Sequence, residues 1–77
     1  MGLPRVGTKG FVIVGLFGNE WAMEQAVERL QRAGFVPVVE DRRHLRIRVE
    51  RPAPAAKDQV RKLIRAAQGY VEQVTDL

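Results

Sequence analysis

One apolar run narrows the choice of folds more sharply than any other segment of this chain. It spans residues 10–18 and reads GFVIVGLFG, with β-branched and aromatic side chains between glycines. An apolar run of strand length with no polar residue in it is typical of a strand in the middle of a sheet. The run therefore predicts a central strand around which the other elements are arranged.

The chain is short enough that this strand belongs to the only domain. Its 77 residues make one domain the upper limit. Residues 1–10 hold three glycines and a proline without apolar periodicity, which predicts a flexible N-terminal arm. Residues 11–77 then form the domain. Because so small a core stabilises a chain only marginally, self-association is a natural supplement.

A helix is predicted directly after the apolar run. Asn19 is a good N-cap, because its side chain can accept a hydrogen bond from the first turn. Gly34 is suited to the position just past the helix, where the backbone turns left-handed. Between them, over about residues 20–33, apolar side chains recur at helical spacing on one face: Met23, Ala26, Val27 and Leu30.

Two further strands follow this helix. Residues 35–39 are apolar but include Pro37, which cannot donate to a strand ladder, so they predict an edge strand. Residues 45–50 alternate strictly and predict a strand with one solvent-accessible face. The side chains of its core side are Leu45, Ile47 and Val49, and those of its accessible side are Arg46, Arg48 and Glu50.

A second helix is predicted over about residues 55–68 and a last strand over residues 70–75, with Gly69 between them. The apolar face of this helix is formed by Ala56, Val60, Leu63, Ile64 and Ala67. The element order is then βαββαβ. Right-handed crossovers place both helices on one face of a four-stranded antiparallel sheet, with the first and third strands in its centre. The predicted fold is a ferredoxin-like α+β sandwich.

This architecture leaves one face of the sheet without helices. Arg46 and Arg48 are expected to lie on that face, because the alternate residues of their strand take the core side. The first strand has two candidate outward sets, the first formed by Val12, Val14 and Leu16 and the second by Phe11, Ile13, Gly15 and Phe17. The second set is favoured, so Phe11, Ile13, Arg46 and Arg48 form the predicted ligand or partner face.

An apolar strand on an uncovered face needs something to cover it. A second copy packed sheet to sheet, giving a homodimer, is favoured over a bound ligand and over the N-terminal arm. Trp21 lies opposite the core side of the first helix on a helical wheel and is a candidate interface residue, together with Phe17. The predicted function is a recognition module that self-associates and binds a partner or an anionic ligand through this face.

The distribution of charge indicates nucleic-acid binding as an alternative function. The net charge is +4, and residues 42–65 hold nine basic against two acidic side chains. Such a stretch can attract a polyanion. The RNA-recognition motif shares the predicted topology, but residues 44–49 lack its aromatic third-strand signature, so nucleic acid is possible and not favoured. The candidate anion or nucleic-acid patch is formed by Arg42, Arg43, Lys57, Arg61 and Arg65.

Several kinds of chemistry have no residues to carry them. The chain has no cysteine, no serine and one histidine, His44, which excludes thiol and serine nucleophiles and disfavours a transition-metal site. No general acid, base and nucleophile can be assembled, so we expect no enzyme activity, no cofactor and no metal. No apolar run reaches membrane-spanning length, and no signal peptide is visible. A cytoplasmic location without membrane partners is therefore expected.

Three segments carry a resemblance to a known family. Residues 11–17 (FVIVGLF), 30–35 (LQRAGF) and 45–49 (LRIRV) resemble sporulation-related repeat (SPOR) domains, and the likeness extends over most of residues 11–68. The resemblance implies binding of peptidoglycan glycan strands across the bare sheet face, with contacts from Ile13, Arg46 and Arg48. Residues 14–39 are similar to other small ferredoxin-like families as well, including ACT-type regulatory domains, which implies regulatory ligand binding.

Overall fold

The computed structural model of the protein describes residues 10–51 and 54–76. Its elements follow the predicted order. Apart from Gly10, the predicted N-terminal arm lies outside the described residues. In chain order the elements are β1 (Phe11–Leu16), α1 (Glu20–Arg32), β2 (Pro37–Asp41), β3 (Arg46–Arg51), a short 3-10 turn (Pro54–Ala56), α2 (Lys57–Ala66) and β4 (Tyr70–Asp76).

The four strands form one antiparallel sheet in the order β2-β3-β1-β4. This strand order and the two helices confirm the α+β class, and the arrangement is consistent with the ferredoxin-like fold. β1 and β3 are the central strands. β2 lies at one edge and begins at Pro37, and the first residue of an edge strand is a position that tolerates proline. No helix within the described ranges is long and apolar enough to cross a membrane.

One core lies between the helices and a single face of the sheet. Alternation in β3 buries Ile47 and Val49 and leaves the arginines between them on the other face. The helices contribute Met23 and Leu30 from α1 and Ile64 from α2 to the same core. No described element covers the opposite face of the sheet, which we call the open face.

The predicted orientation of β1 is wrong. Phe11 and Ile13 are fully buried in the core, and Phe17 is 7% exposed. The physical reason is volume: the larger side chains fill the space beneath the helices, and Gly15, which shares their side of the strand, lets α2 come close. A Cβ on Gly15 would lie 3.1 Å from Ile64 Cδ1. The smaller set of Val12, Val14 and Leu16 therefore faces outward.

The first helix begins and ends as its sequence predicts. Asn19 Oδ1 accepts a hydrogen bond from Ala22 N at 2.8 Å, which satisfies one free donor of the first turn. At the other end Gly34 has a left-handed backbone, with φ of 94°. Phe35 N donates to Leu30 O at 2.9 Å and Gly34 N to Gln31 O at 3.0 Å, which is the Schellman pattern.

The second helix ends one residue earlier than the glycine suggests. Gly69 N donates to Ile64 O and Gln68 N to Arg65 O, each at 2.8 Å, so the left-handed position falls on Gln68, with φ of 64°. A side chain in this conformation is strained, because its Cβ crowds the following carbonyl oxygen.

Replacing Gln68 by glycine is therefore expected to raise the free energy of unfolding by about 0.5–1 kcal/mol, since the strain relieved exceeds the added chain entropy. Urea unfolding followed by circular dichroism measures the change. Gln59→Gly, the same replacement at an exposed position inside α2, is the control and should lower stability by about 1 kcal/mol. Equal effects of both replacements would contradict the assigned strain.

Candidate binding face

The candidate site is a groove on the open face. Val14 of β1 lies opposite Arg48 of β3 and Gln73 of β4, and directly opposite residues of an antiparallel sheet share a face. The groove encloses about 530 Å³. Its walls are formed by Val12, Val14, Glu40, Arg46, Arg48, Glu72, Gln73 and Thr75.

One ion pair crosses the groove. Arg46 Nε of β3 lies 3.3 Å from Glu72 Oε1 of β4, and β1 runs between these strands, so the pair passes over β1. Val14 is only 9% exposed although it is not part of the helix-side core, because the charged side chains around it exclude solvent. The contact does not satisfy hydrogen-bond geometry, and within the described part of the chain the buried Nε has no hydrogen-bond partner.

Arg48 is the second cation of the groove. It lies on β3 one alternation from Arg46 and directly opposite Val38 of β2 and Val14 of β1. Among residues 10–51 and 54–76, no carboxylate lies within 4.0 Å of its guanidinium nitrogens. Arg48 is half-buried, and without a carboxylate partner its guanidinium keeps its donors available for an incoming acceptor.

The charges of the groove balance. The two arginines face two carboxylates, Glu40 and Glu72. Glu72 lies where the register of β1 and β4 shifts, and Glu40 lies at a similar irregularity between β2 and β3. An extra residue at such a bulge re-aims the side chains beside it. Two carboxylates on the face repel a polyanion such as nucleic acid.

The predicted face is only partly the observed one. Arg46 and Arg48 lie on it, whereas Phe11 and Ile13 belong to the core. The same burial removes Ile13 from the contacts that the SPOR resemblance implies. Base stacking on exposed aromatic rings of β1, which the nucleic-acid hypothesis needs, is therefore not available on this strand.

The two predicted interface residues, Trp21 and Phe17, lie in different environments. Trp21 is 70% exposed at the start of α1, where it lines a crevice of about 200 Å³ together with Ala67 and Gln68 at the end of α2. The prediction for Phe17 as an interface residue is wrong, because its ring packs beneath Gly69 inside the core. A ring there can contact a partner only after local unfolding.

The five cations of the predicted basic patch do not form one surface. Arg42 pairs with Glu20 and lies 3.8 Å from Glu24, beside the end of β1. Lys57 pairs with Asp76 at 2.7 Å, beside the start of β1. The two ends of β1 are about 17 Å apart, so these cations lie beside opposite ends of the strand. Each of these two charges is paired with a carboxylate of a neighbouring element.

Three members of that patch, Lys57, Arg61 and Arg65, lie at i, i+4 and i+8 on α2 and so share one face of that helix. Arg61 pairs with Asp58 at 3.4 Å on α2. Arg65 is exposed near the end of α2, and Arg43 is exposed in the turn between β2 and β3. The five predicted residues therefore divide into a row on α2 and a pair at the β2–β3 turn, and neither group lines the groove. The patch stays a prediction separate from the open face.

The turn that carries Arg43 is held by a carboxylate. Asp41 Oδ2 lies 2.7 Å from His44 Nδ1, and Asp41 Oδ1 accepts a hydrogen bond from His44 N at 3.2 Å. The side-chain hydrogen bond from His44, more than any other contact, lowers the pKa of Asp41 below its ordinary value. The stability that this contact adds is present at neutral pH and is lost as the pH falls through the lowered pKa.

The groove residues that the sequence analysis did not predict lie mainly on β2 and β4. Glu40, Glu72, Gln73 and Thr75 line the groove, but irregular pairing in both strands breaks the simple alternation that would have assigned them a face. For β1 a signal was present: Gly15 shares its parity with the bulky residues of the strand, and a glycine in a strand marks a close approach.

Within the described residues, no group of three or more histidine, cysteine, aspartate or glutamate side chains is arranged to hold a metal.

Comparison with known proteins identifies no relative of this chain. The assignment to the ferredoxin-like class depends on strand order and helix placement alone, and the SPOR and ACT resemblances stay predictions. No family model matches the chain, and comparisons with curated proteins and with solved structures find no significant match.

Proposed function

We propose that this protein is a non-enzymatic recognition module that binds an anionic group of its partner through the open face. The observation that carries the proposal is Arg48, a half-buried cation in the groove with no carboxylate in reach among the described residues. A cation held in this way between aliphatic side chains is a prepared site for an acceptor.

The chemistry of the face favours a planar acceptor. A guanidinium presents its donors in a fixed fork that matches carboxylate or phosphate oxygens. Arg46 Nε is buried without a hydrogen bond, so an anion that reaches it would satisfy a donor that Glu72 leaves unsatisfied. Gln73 and Thr75 on the opposite wall offer neutral hydrogen bonds to the rest of the ligand.

The number of free cations limits the ligand. With Arg46 already beside Glu72, the groove offers one unpaired charge, which suits one anionic group rather than a string of phosphates. A run of phosphates would also meet Glu40 and Glu72. We therefore favour a partner with a single carboxylate or phosphate over single-stranded nucleic acid.

Titration of the ¹⁵N-labelled protein with acetate, and separately with inorganic phosphate, tests the proposal. We expect shifts of the backbone amides of β1 and β3 and of Arg48 Nε. Arg48→Gln should weaken the response about tenfold, as expected for one charge-assisted hydrogen bond.

Arg43→Gln is the matched control, because it removes the same charge from an exposed turn. It should leave the response of β1 and β3 unchanged. Shifts confined to the turn or to α2, or a response that survives Arg48→Gln, would contradict the assignment of the site to the open face.

A further inference from the structure

The charges of the open face are arranged so that the face complements itself. Arg46 and Arg48 lie on β3, while Glu40 lies on β2 and Glu72 on β4, to either side of them. The two arginines and two carboxylates of the groove sum to zero, and Glu50 on β3, opposite Val12, adds one negative charge to the same face. When two identical faces meet about a twofold axis, residue i of one copy meets residue j of the other and the reverse, so cations and carboxylates can be matched in both directions at once.

Apolar side chains accompany these charges. Val12 and Leu16 on β1 are half-buried, and Val38 and Tyr70 on the outer strands are 47% and 67% exposed. Val38 lies opposite Arg48, and Tyr70 lies opposite Leu16, so all four belong to the open face. A central apolar strand with mixed charge around it is the composition of a protein interface.

We infer that the partner of the open face is a second copy of this chain, packed sheet to sheet, whose carboxylates supply the anionic group for Arg48. This inference rests on the proposed function and names its partner. Charge complementarity selects this occupant, since a polyanion meets two carboxylates and an apolar segment leaves Arg48 unpaired.

The size of the face sets the strength of the contact. Four strands about 4.8 Å apart and about six residues long present a plane of roughly 400 Å². Two such corrugated faces bury on the order of 1,000 Å² in total, which is the lower limit for a specific interface. The dimer is therefore expected to be reversible, with a dissociation constant in the micromolar range rather than below it.

Sedimentation equilibrium of the whole chain tests the inference. The wild-type protein is expected to be dimeric at about 0.5 mM and to dissociate on dilution. Arg48→Glu changes the sum of the groove charges from 0 to −2 and should raise the dissociation constant about 30-fold or more. Glu40→Arg changes the sum to +2 and should have a similar effect.

A mixture of the Arg48→Glu and Glu40→Arg variants is the most discriminating part of the experiment. Because one face is now acidic and the other basic, equal amounts should associate more tightly than either variant alone. Arg43→Glu, the same charge change on an exposed turn, should leave the wild-type dissociation constant within about twofold. Circular dichroism of each variant establishes that it is folded.

Three outcomes would overturn the inference: a wild-type monomer at the highest concentration, a dimer that Arg48→Glu does not weaken, or a mixture no tighter than its components. The acetate titration separates this failure from failure of the proposed function. A monomer whose β1 and β3 amides respond to acetate keeps the recognition function and loses the self-association. A dimer sensitive to Arg48→Glu supports the inference whatever the titration shows.

Discussion

Replacing Ile13 by aspartate is expected to unfold the protein, whereas the same replacement at Val12, one residue earlier, is expected to leave it folded. Ile13 is fully buried between the sheet and the helices. Removing its side chain alone costs about 2–5 kcal/mol, and the carboxylate adds the penalty of an unpaired buried charge. The total is comparable to the whole stability of so short a chain, about 4–12 kcal/mol.

Val12 differs because it faces the groove. A carboxylate there stays hydrated, and its cost is limited to about 1 kcal/mol from poorer strand propensity and from Glu50 directly opposite. Circular dichroism and thermal unfolding compare the two variants. A folded Ile13→Asp together with an unfolded Val12→Asp would mean that β1 has the opposite orientation. A folded Val12→Asp should also weaken the proposed dimer, because Val12 lies on the contacting face.

Replacing Gly69 by alanine is expected to lower the free energy of unfolding by about 3 kcal/mol, the upper end of overpacking effects. A Cβ at this position would overlap Phe17 Cε1 and lie 2.8 Å from Ile64 Cγ2. Both neighbours are buried, so neither ring nor methyl group can move aside without disturbing the core. Denaturant unfolding measures the loss.

Two further variants identify the cause of that loss. Gly18→Ala is the control, because a Cβ there meets nothing within 4 Å, and it should be neutral or slightly stabilising. Phe17→Leu removes the ring that the new methyl group would strike. The double variant Gly69→Ala with Phe17→Leu should lose at least about 1 kcal/mol less free energy of unfolding than the sum of the two single losses. Strict additivity of the two replacements would contradict the proposed clash.

The orientation of β1 changes the chemical character of the candidate site. With Phe11 and Ile13 on the open face, the site would be an aromatic platform suited to flat rings. With Val12, Val14 and Leu16 there instead, it is an aliphatic strip crossed by an ion pair. The recognition that we propose therefore depends on charge pairing and shape complementarity rather than on stacking.

Local patterns were sufficient for the elements and their order. The alternation in residues 45–50 assigns Arg46 and Arg48 to the open face, and Asn19 and Gly34 bound the first helix, because each depends on the conformation of a few neighbouring residues. The topology followed from the order of elements and the handedness of crossovers. Gly69 was interpreted as the helix stop, but the left-handed residue is Gln68.

What the sequence determined by itself is the set of strands and helices, their order, and the face of β3 on which its arginines lie, since these follow from short-range periodicity. The tertiary structure decided which side of β1 is buried, because a strand that is apolar on both sides shows no alternation. Gly15 indicates a close approach, but only the packing of α2 shows that the approach is on the side of Phe11 and Ile13. The tertiary structure also decided where the charges meet. Arg46 and Glu72 are far apart in the chain, and only the pairing of β1 with both β3 and β4 places them across one groove.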